Sequence, residues 1–524
     1  MKNKNIKKYS LICAFLLSAI CSTSCGTNYQ EDTTYLHVYN WEDYIYQYDE
    51  DNETYKDPDM IEQFEEFINQ PENMKSYGLS KKVKVIYDTF DTPETMYNEL
   101  KLNKTTYDLM APSDYMIQKL ALNLDGLEST RIQKIDFSRV PNYSKYASKF
   151  LINNLKDILI DETNPEKGTL NDYALGYMWG TLGLVYNPGA KTLKDKGYEE
   201  EKVIHDFSQP ESWNILWEND DYARIASIKD SIRDTYSMGI MRVYNDEFKA
   251  LKEHYENKEI DQVTYKHEIN KIFNRNDDET ISKVQAALIE LKERIYGFEV
   301  DTGKTDIVTG KVGINLAWSG DAVYSMDEAE EFEQYFYYAL PSYGANIWFD
   351  GWCIPETCKG ENLSAAYAFI DFLSIPSKAA MNMDYIGYTP FIAGDEVLSQ
   401  VHDWYDAEEG EESVEYDLSY FFDGTLKDKD SDPIIHCLKE QTKRQLHAQY
   451  PEENEIDHLC VMKDFGKAND SIVTMWENIK VNPLPTWVKV IVIFSLVIFI
   501  GYLASYKLIR KAKIKHRKSL REKE

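Results

Sequence analysis

Two short segments hold residues whose types and spacing could do chemistry. In Ile314-Asn-Leu-Ala-Trp318-Ser-Gly-Asp321 and in Ile347-Trp348-Phe349-Asp350-Gly-Trp352, a tryptophan stands two or three residues from an aspartate. An indole face attracts a cation through its ring quadrupole, and a nearby carboxylate accepts that cation's N–H groups. This pairing suits an organic ammonium better than a bare metal ion, which calls for several oxygens and no ring. No metal and no cofactor is therefore expected. Taken singly, either pair reads equally well as a core tryptophan beside a loop-capping aspartate. Two pairs in one stretch put the cation reading level with that one, and the rest of the chain has to decide.

Charge and the two ends set the compartment. The net charge is −31, an acidity that repels nucleic acid and anionic lipid and attracts small cations. A basic start and an apolar run from Tyr9 to Ile20 read as a secretory signal peptide over 1–25. The run closes on Cys21-Ser-Thr-Ser-Cys25-Gly26, which resembles a bacterial lipobox with Ser22 in place of leucine, so Cys25 is the candidate lipidation site. Trp487 to Tyr506 is about one bilayer's worth of apolar residues with interfacial aromatics at its ends, and reads as a transmembrane helix. The tail 507–524 has nine Lys/Arg against two Glu, which places it in the cytoplasm and the preceding chain outside. Cys353, Cys358, Cys437 and Cys460 are an even count in an exported region and permit two disulfides in three connectivities. They form no recognisable zinc-ligand spacing with the histidines.

The elements that would position the two pairs alternate between strands and helices. Tyr35–Tyr39 and Lys82–Tyr87 alternate like strands, and Tyr107–Met110 reads as a third. Met60, Ile61, Phe64, Phe67 and Ile68 keep helical spacing, and Asp91-Thr-Pro-Glu94 starts a second helix. Trp41, Glu42, Asp43 and Tyr44 follow the first strand, and Ser113 and Tyr115 follow the third. The C-terminal ends of strands are where α/β proteins place ligand contacts. Residues 245–278 are strongly charged and read as a solvated helical insertion. Ile281, Val284, Leu288, Leu291 and Ile295 form a core-facing stripe.

Five elements in register resemble one family. They are Tyr-Asn-Trp41, Glu94-Thr-Met-Tyr97, Tyr107-Asp-Leu-Met-Ala-Pro-Ser113-Asp-Tyr115, Trp318-Ser-Gly320 and Trp348-Phe-Asp350, with Ile386-Gly-Tyr388 in support. Together they resemble the spermidine/putrescine-binding proteins of polyamine ABC transporters, which are bacterial extracellular solute-binding proteins. The resemblance implies an α/β, two-lobed periplasmic-binding-protein-like fold of type II, to which this chain adds the C-terminal transmembrane helix. It implies lobe one over 34–177 and 352–400, and lobe two over 178–350 and 401–480. It implies an inter-lobe cleft walled by Trp41, Tyr44, Tyr115, Trp318, Trp348 and Tyr388. The acids would be Asp234, Asp321 and Asp350, with Glu42 or Asp43 as a further candidate, and Ser113 would give one hydrogen bond. Asp234 ends the Asp230-Ser-Ile-Arg233-Asp234 turn, where Ser231 stands in place of a second acid found in some relatives. The implied partners are a polyamine, the permease subunits with their ATPase, and the membrane; nucleic acid is not among them. An exported hydrolase, a receptor for another small ligand and a membrane-anchored sensor remain as alternatives. The absence of a Gly-x-Ser-x-Gly motif weighs against the hydrolase.

Overall fold

The computed structural model describes residues 32–49, 55–102, 105–208, 210–299 and 302–480, with the single position 494. The expected signal peptide with Cys25, the expected 487–506 span (position 494 aside) and the 507–524 tail lie outside the described residues. Among the described residues, no helix is long and apolar enough to cross a membrane.

Twelve strands run in chain order as β1 Thr33–Trp41, β2 Lys82–Phe90, β3 Leu109–Met110, β4 Leu175–Tyr186, β5 Ala226–Lys229 and β6 Gly297–Glu299. Then come β7 Ile314–Trp318, β8 Tyr337–Ala339, β9 Ile347–Trp352, β10 Thr389–Pro390, β11 Ser413–Asp417 and β12 Ile434–Leu438. β1 lies between β2 and β3, parallel to both. Parallel neighbours need crossovers, and the helices Met60–Ile68 and Pro93–Leu102 provide them. The first buries Met60, Phe64 and Ile68, the apolar face that its spacing foretold. The second is capped by Thr92, whose Oγ1 accepts from Thr95 N at 3.2 Å.

β4 joins the two halves of the molecule. Its twelve residues are all buried. The first part, Leu175–Thr181, pairs antiparallel with β9, and β10 lies against Met178 and Trp179. The second part, Leu182–Tyr186, pairs antiparallel with β7, while Leu184–Tyr186 also pair with β8. Beyond β7 lie β5 and then β6, both in parallel pairing. A strand with a partner on each edge and helices over its faces is apolar throughout, not alternating. Gly180 sits opposite Trp348 in the β4–β9 register. A Cβ there would stand 2.5 Å from Trp348 Cζ2 and 2.4 Å from Ser319 Oγ, so the glycine makes the room in which the indole lies.

Three expectations differ from the observed structure. The 245–278 segment forms the helices Asn245–Glu256 and Gln262–Phe273, and the second is not merely solvated. It buries Tyr265, Ile269, Ile272 and Phe273. The returning chain packs on it, with Tyr265 Oη 2.7 Å from His458 Nδ1 and Lys266 Nζ donating to Ile456 O at 2.6 Å. The 401–480 segment does not lie on the second half alone. Ser148 Oγ donates to Phe421 O at 2.7 Å and Lys149 pairs with Asp423 at 3.2 Å, which ties its first part to the helix Lys149–Asp157. Only later does the chain reach the other half, where the helix Asn469–Lys480 packs on Asp278–Arg294. Finally, Cys353, Cys358, Cys437 and Cys460 are all buried and free, so neither permitted disulfide is formed.

Gly180→Ala should destabilise the folded chain by about 1–3 kcal/mol, because the new methyl overlaps Trp348 where the sheet cannot yield. Urea unfolding checks this; an unchanged midpoint would show that the indole moves aside freely.

Candidate functional site

β9 carries Asp350 into the interior, where only 5% of it is exposed. Ser113, in extended conformation ahead of the helix Asp114–Leu122, forms an isolated antiparallel bridge with Asp350. Its Oγ donates to Asp350 Oδ1 at 2.6 Å, and Tyr44 Oη donates to Oδ2 at 2.9 Å. No cationic side chain among the described residues forms an ion pair with this carboxylate. Burial pushes its pKa up to about 7, against the two hydroxyl hydrogen bonds, which lower it. Burial also holds the Tyr44 hydroxyl far above its usual range, so it stays a neutral donor. Asp114, which the sequence reading did not select, lies beside this group. It accepts from Tyr115 N at 2.6 Å and from Phe349 N at 3.1 Å. Burial raises it to about 8; the two backbone hydrogen bonds oppose the rise and the neighbouring Asp350 charge adds to it.

Tyr388 links this carboxylate to the second tryptophan–aspartate pair. The helix Pro376–Ile386 ends at Gly387 with φ +73°, a left-handed cap that turns the chain so that Tyr388 follows directly. The ring meets Tyr44 edge-on at 5.5 Å and Trp348 at 5.4 Å, and its hydroxyl donates to Asp321 Oδ1 at 3.1 Å. Gly320 allows this approach, since a Cβ there would come within 2.4 Å of the Tyr388 ring.

The pair Trp318–Asp321 already holds a cation, and it is the chain's own. Lys229, at the end of β5, places its ammonium 3.0 Å from Asp321 Oδ2, 3.4 Å from Glu299 Oε1 and 4.8 Å from the Trp318 ring centre. Lys304 Nζ lies 3.7 Å from Asp321 Oδ1. Burial alone would raise the Asp321 pKa, but Lys229 and Lys304 outweigh it and hold the carboxyl below its usual range. Asp234 lies in the first turn of the helix Ile232–Val243, whose N-cap is Ser231. It is buried and forms no ion pair among the described residues; burial raises its pKa against hydrogen bonds from Ser231 and Trp318.

The remaining candidates divide. Tyr115 is covered on one face by the Arg233 guanidinium, 3.6 Å from the ring centre, and its hydroxyl donates to Glu94 at 3.3 Å. Arg233 is held in turn by Glu94 at 3.0 Å and Asp464 at 3.6 Å. Trp41 is half-buried and packs on Phe90 at 5.0 Å, and its indole Nε1, like that of Trp348, is buried without a hydrogen-bond partner. Glu42 and Asp43 are exposed in the turn after β1, and no hydrogen bond or ion pair among the described residues joins either carboxylate to Asp350 or Asp321. Asp230, next to Lys229, faces away: it accepts from Trp476 Nε1 at 3.2 Å and pairs with Lys480 at 2.6 Å.

The structure thus brings together Tyr44, Ser113, Trp348, Asp350 and Tyr388 around one buried acid, with Trp318, Asp321 and Asp234 next to them. Sequence reasoning missed Lys229 and Asp114. Lys229 is separated from Asp321 by 92 residues, and no local signal pairs them. Asp114 occupies the first turn of a helix, where an acid ordinarily reads as serving the helix dipole.

Two α/β halves joined through a shared strand, with buried aromatic and acidic side chains meeting at the junction, define a two-lobed binding protein. The fold matches the solved spermidine/putrescine ABC transporter substrate-binding protein PotD from Streptococcus pneumoniae, with a TM-score of 0.51, 23% identity, and coverage of 85% of this chain and 98% of that one. A putative spermidine/putrescine ABC transporter protein from Listeria monocytogenes gives a TM-score of 0.52 at 22% identity, with the same coverage. The chain belongs to the bacterial extracellular solute-binding protein family, which it matches over residues 59–405. It is a solute-binding protein and not an enzyme, which sets the hydrolase alternative aside. Similar proteins include the putrescine-binding periplasmic protein SpuD of Pseudomonas aeruginosa, 24% identical over 71% of this chain and 82% of that one. The spermidine/putrescine-binding periplasmic protein of Escherichia coli is 26% identical over 70% and 81%.

Two carboxyls with folded pKa values of about 7 and about 8 have a definite effect on stability. Above the usual carboxylate range the unfolded chain has lost these protons while the folded chain still holds them. Their contribution is therefore complete at low pH and is lost as pH rises toward the folded values, by up to about 1.4 kcal/mol per pH unit for each group. The melting temperature should fall between pH 5 and 8, and Asp350→Asn should flatten that fall. An equally steep profile in Asp350→Asn would show that Asp350 is not protonated in the fold.

Proposed function

We propose that the chain captures polyamines of the putrescine and spermidine class outside the cytoplasm and delivers them to an ABC permease with its ATPase. One observation carries the ligand class: Asp350 is a buried carboxylate held by two hydroxyls, walled by Trp348 and Tyr388, and paired with no cation among the described residues. A buried charge of this kind calls for a compensating ammonium, and a methylene chain calls for aromatic walls. The polyamine-binding names of the relatives support the same class. Tyr44, Ser113, Trp348, Asp350 and Tyr388 would form one end of the site, and Asp234 and Trp318 the other. In this reading Trp41 and Tyr115 are outer walls, and Glu42 and Asp43 lie at the margin. The shared strand β4 supports a type II lobe arrangement, with lobe one over 34–177 and 352–400 and the chain from 445 to 480 joining lobe two.

Titration calorimetry with putrescine, cadaverine, spermidine and spermine tests the class directly. Asp350→Asn keeps the shape and removes the charge, and should weaken binding by about 2–5 kcal/mol with an intact melt. Affinity should also rise with pH toward about 7. An ammonium pairs only with the ionised acid, so each unit below that value costs up to about tenfold. Unchanged affinity in Asp350→Asn, or a pH-independent one, would remove Asp350 from the site.

The same reading places the chain at the membrane, with Cys25 as a lipid anchor and 487–506 as a span that keeps the receptor near its permease. External protease on intact cells should then digest the 32–480 region and spare the basic tail. Loss of the tail would reverse the orientation, and fatty-acid labelling that persists in Cys25→Ala would refute lipidation there.

A further inference from the structure

The carboxylates around the aromatic cluster are not equivalent, and the difference bears on how many charges a ligand can bring. Asp321 has both oxygens engaged: Oδ2 by Lys229 at 3.0 Å, and Oδ1 by the Tyr388 hydroxyl at 3.1 Å with Lys304 at 3.7 Å. Glu299 likewise faces Lys229 at 3.4 Å through Oε1 and accepts from Gly303 N at 2.8 Å through Oε2. The Lys229 side chain is only 4% exposed, and its ammonium lies 4.8 Å from the centre of the Trp318 ring. Carboxylate pairs and an indole face are the groups that would receive a ligand ammonium, and here an ammonium tethered to β5 already occupies them. Three buried carboxyls of the cluster form no ion pair among the described residues: Asp350, Asp234 and Asp114, and of these Asp114 has both oxygens taken by the backbone N–H groups of Tyr115 and Phe349.

We infer that Lys229 acts as a built-in ammonium that fills the Trp318–Asp321 subsite, so that the site takes a diamine in preference to a triamine. This rests on the polyamine reading above and adds to it a residue that sets ligand charge. With Asp114 closed off by backbone amides, the two acids left open to a ligand, Asp350 and Asp234, match the two ammoniums of a diamine. A third ammonium on a longer ligand would have to approach Asp321 against the charge of Lys229, and like charges brought together in a buried site repel strongly. Lys229 keeps its own charge: burial works against it, but Asp321 and Glu299 outweigh burial and hold its pKa above the usual value.

The test uses the full-length purified chain and compares putrescine with spermidine by calorimetry and by ligand-induced thermal shift. The wild-type protein should bind putrescine at least about tenfold more tightly than spermidine. Lys229→Met removes the buried ammonium from Asp321 Oδ2, leaving only the more exposed Lys304 near Oδ1, and should raise the spermidine-to-putrescine affinity ratio by about tenfold or more, whereas Lys229→Arg, which keeps the charge, should hold the wild-type ratio. A wild-type protein that binds spermidine as tightly as putrescine overturns the inference, and this measurement does not depend on how well Lys229→Met folds. A ratio that stays the same in a folded Lys229→Met protein overturns it as well. A wild-type protein that binds none of the polyamines fails differently: it removes the polyamine reading itself, and the role of Lys229 with it.

Discussion

The cost of placing carboxylates where water cannot reach them governs this structure. Asp350 and Asp114 lie side by side, one on β9 and one at the start of a helix, with no cation in ion-pair contact with either among the described residues. A protein with no use for such a pair would replace it with apolar groups, since burying unpaired charge is among the least favourable events in folding. The fold instead reduces the cost with fixed donors. Ser113 and Tyr44 serve Asp350, and the amides of Tyr115 and Phe349 serve Asp114. These donors come from three separated parts of the chain, so the acids can stay buried only when β1, β9 and the turn after β3 are held in register.

β4 enforces that register. It gives one edge to β9, which carries Trp348 and Asp350, and continues into pairing with β7, which ends at Trp318. Both tryptophan–aspartate pairs therefore hang from one buried strand, and their separation is fixed by backbone hydrogen bonds. The close fit needs two positions with no side chain: Gly180 beneath Trp348, and Gly320 beneath Tyr388. Further out, Glu94, Arg233 and Asp464 form a polar chain across the junction, so the aromatic cluster is closed in by charge pairs that water can partly screen.

Much of this was legible in the sequence, because it depends on local periodicity. The stripe Ile281, Val284, Leu288 and Leu291 is the buried face of the helix Asp278–Arg294, and Met60, Phe64 and Ile68 behave likewise. Ser113, Asp350, Trp348 and Tyr388 were legible through short motifs and do converge. What was not legible depends on pairing between distant residues. A lysine at the end of a four-residue strand carries no sign that its partners are Glu299 and Asp321. The charged segment 245–278 looks solvated until the chain returns at 456–463 to cover Tyr265 and Ile269. Glu42 and Asp43 sit beside Trp41 and Tyr44 in sequence, yet Asp43 adopts φ +48° in a turn, and both face solvent while Tyr44 turns inward.

The raised pKa of Asp350 connects folding with selectivity. A closed cleft that holds an ionised Asp350 and no counter-charge bears the full desolvation cost, so closing over nothing favours a proton on that carboxyl. In the proposed site, an incoming ammonium would displace that proton to solvent and supply the missing charge from a group that can also lie against Trp348 and Tyr388. A neutral sugar offers the aromatic contact but leaves the acid uncompensated, and an anionic solute adds repulsion to that cost. Discrimination then arises less from contacts made to the right ligand than from a buried charge the wrong ligand leaves unpaired, which is the stronger of the two ways a site can choose. If Lys229 fills the Asp321 subsite as inferred, that penalty would be concentrated on the carboxylates that remain, and the number of positive charges on the solute would become something the cleft can count.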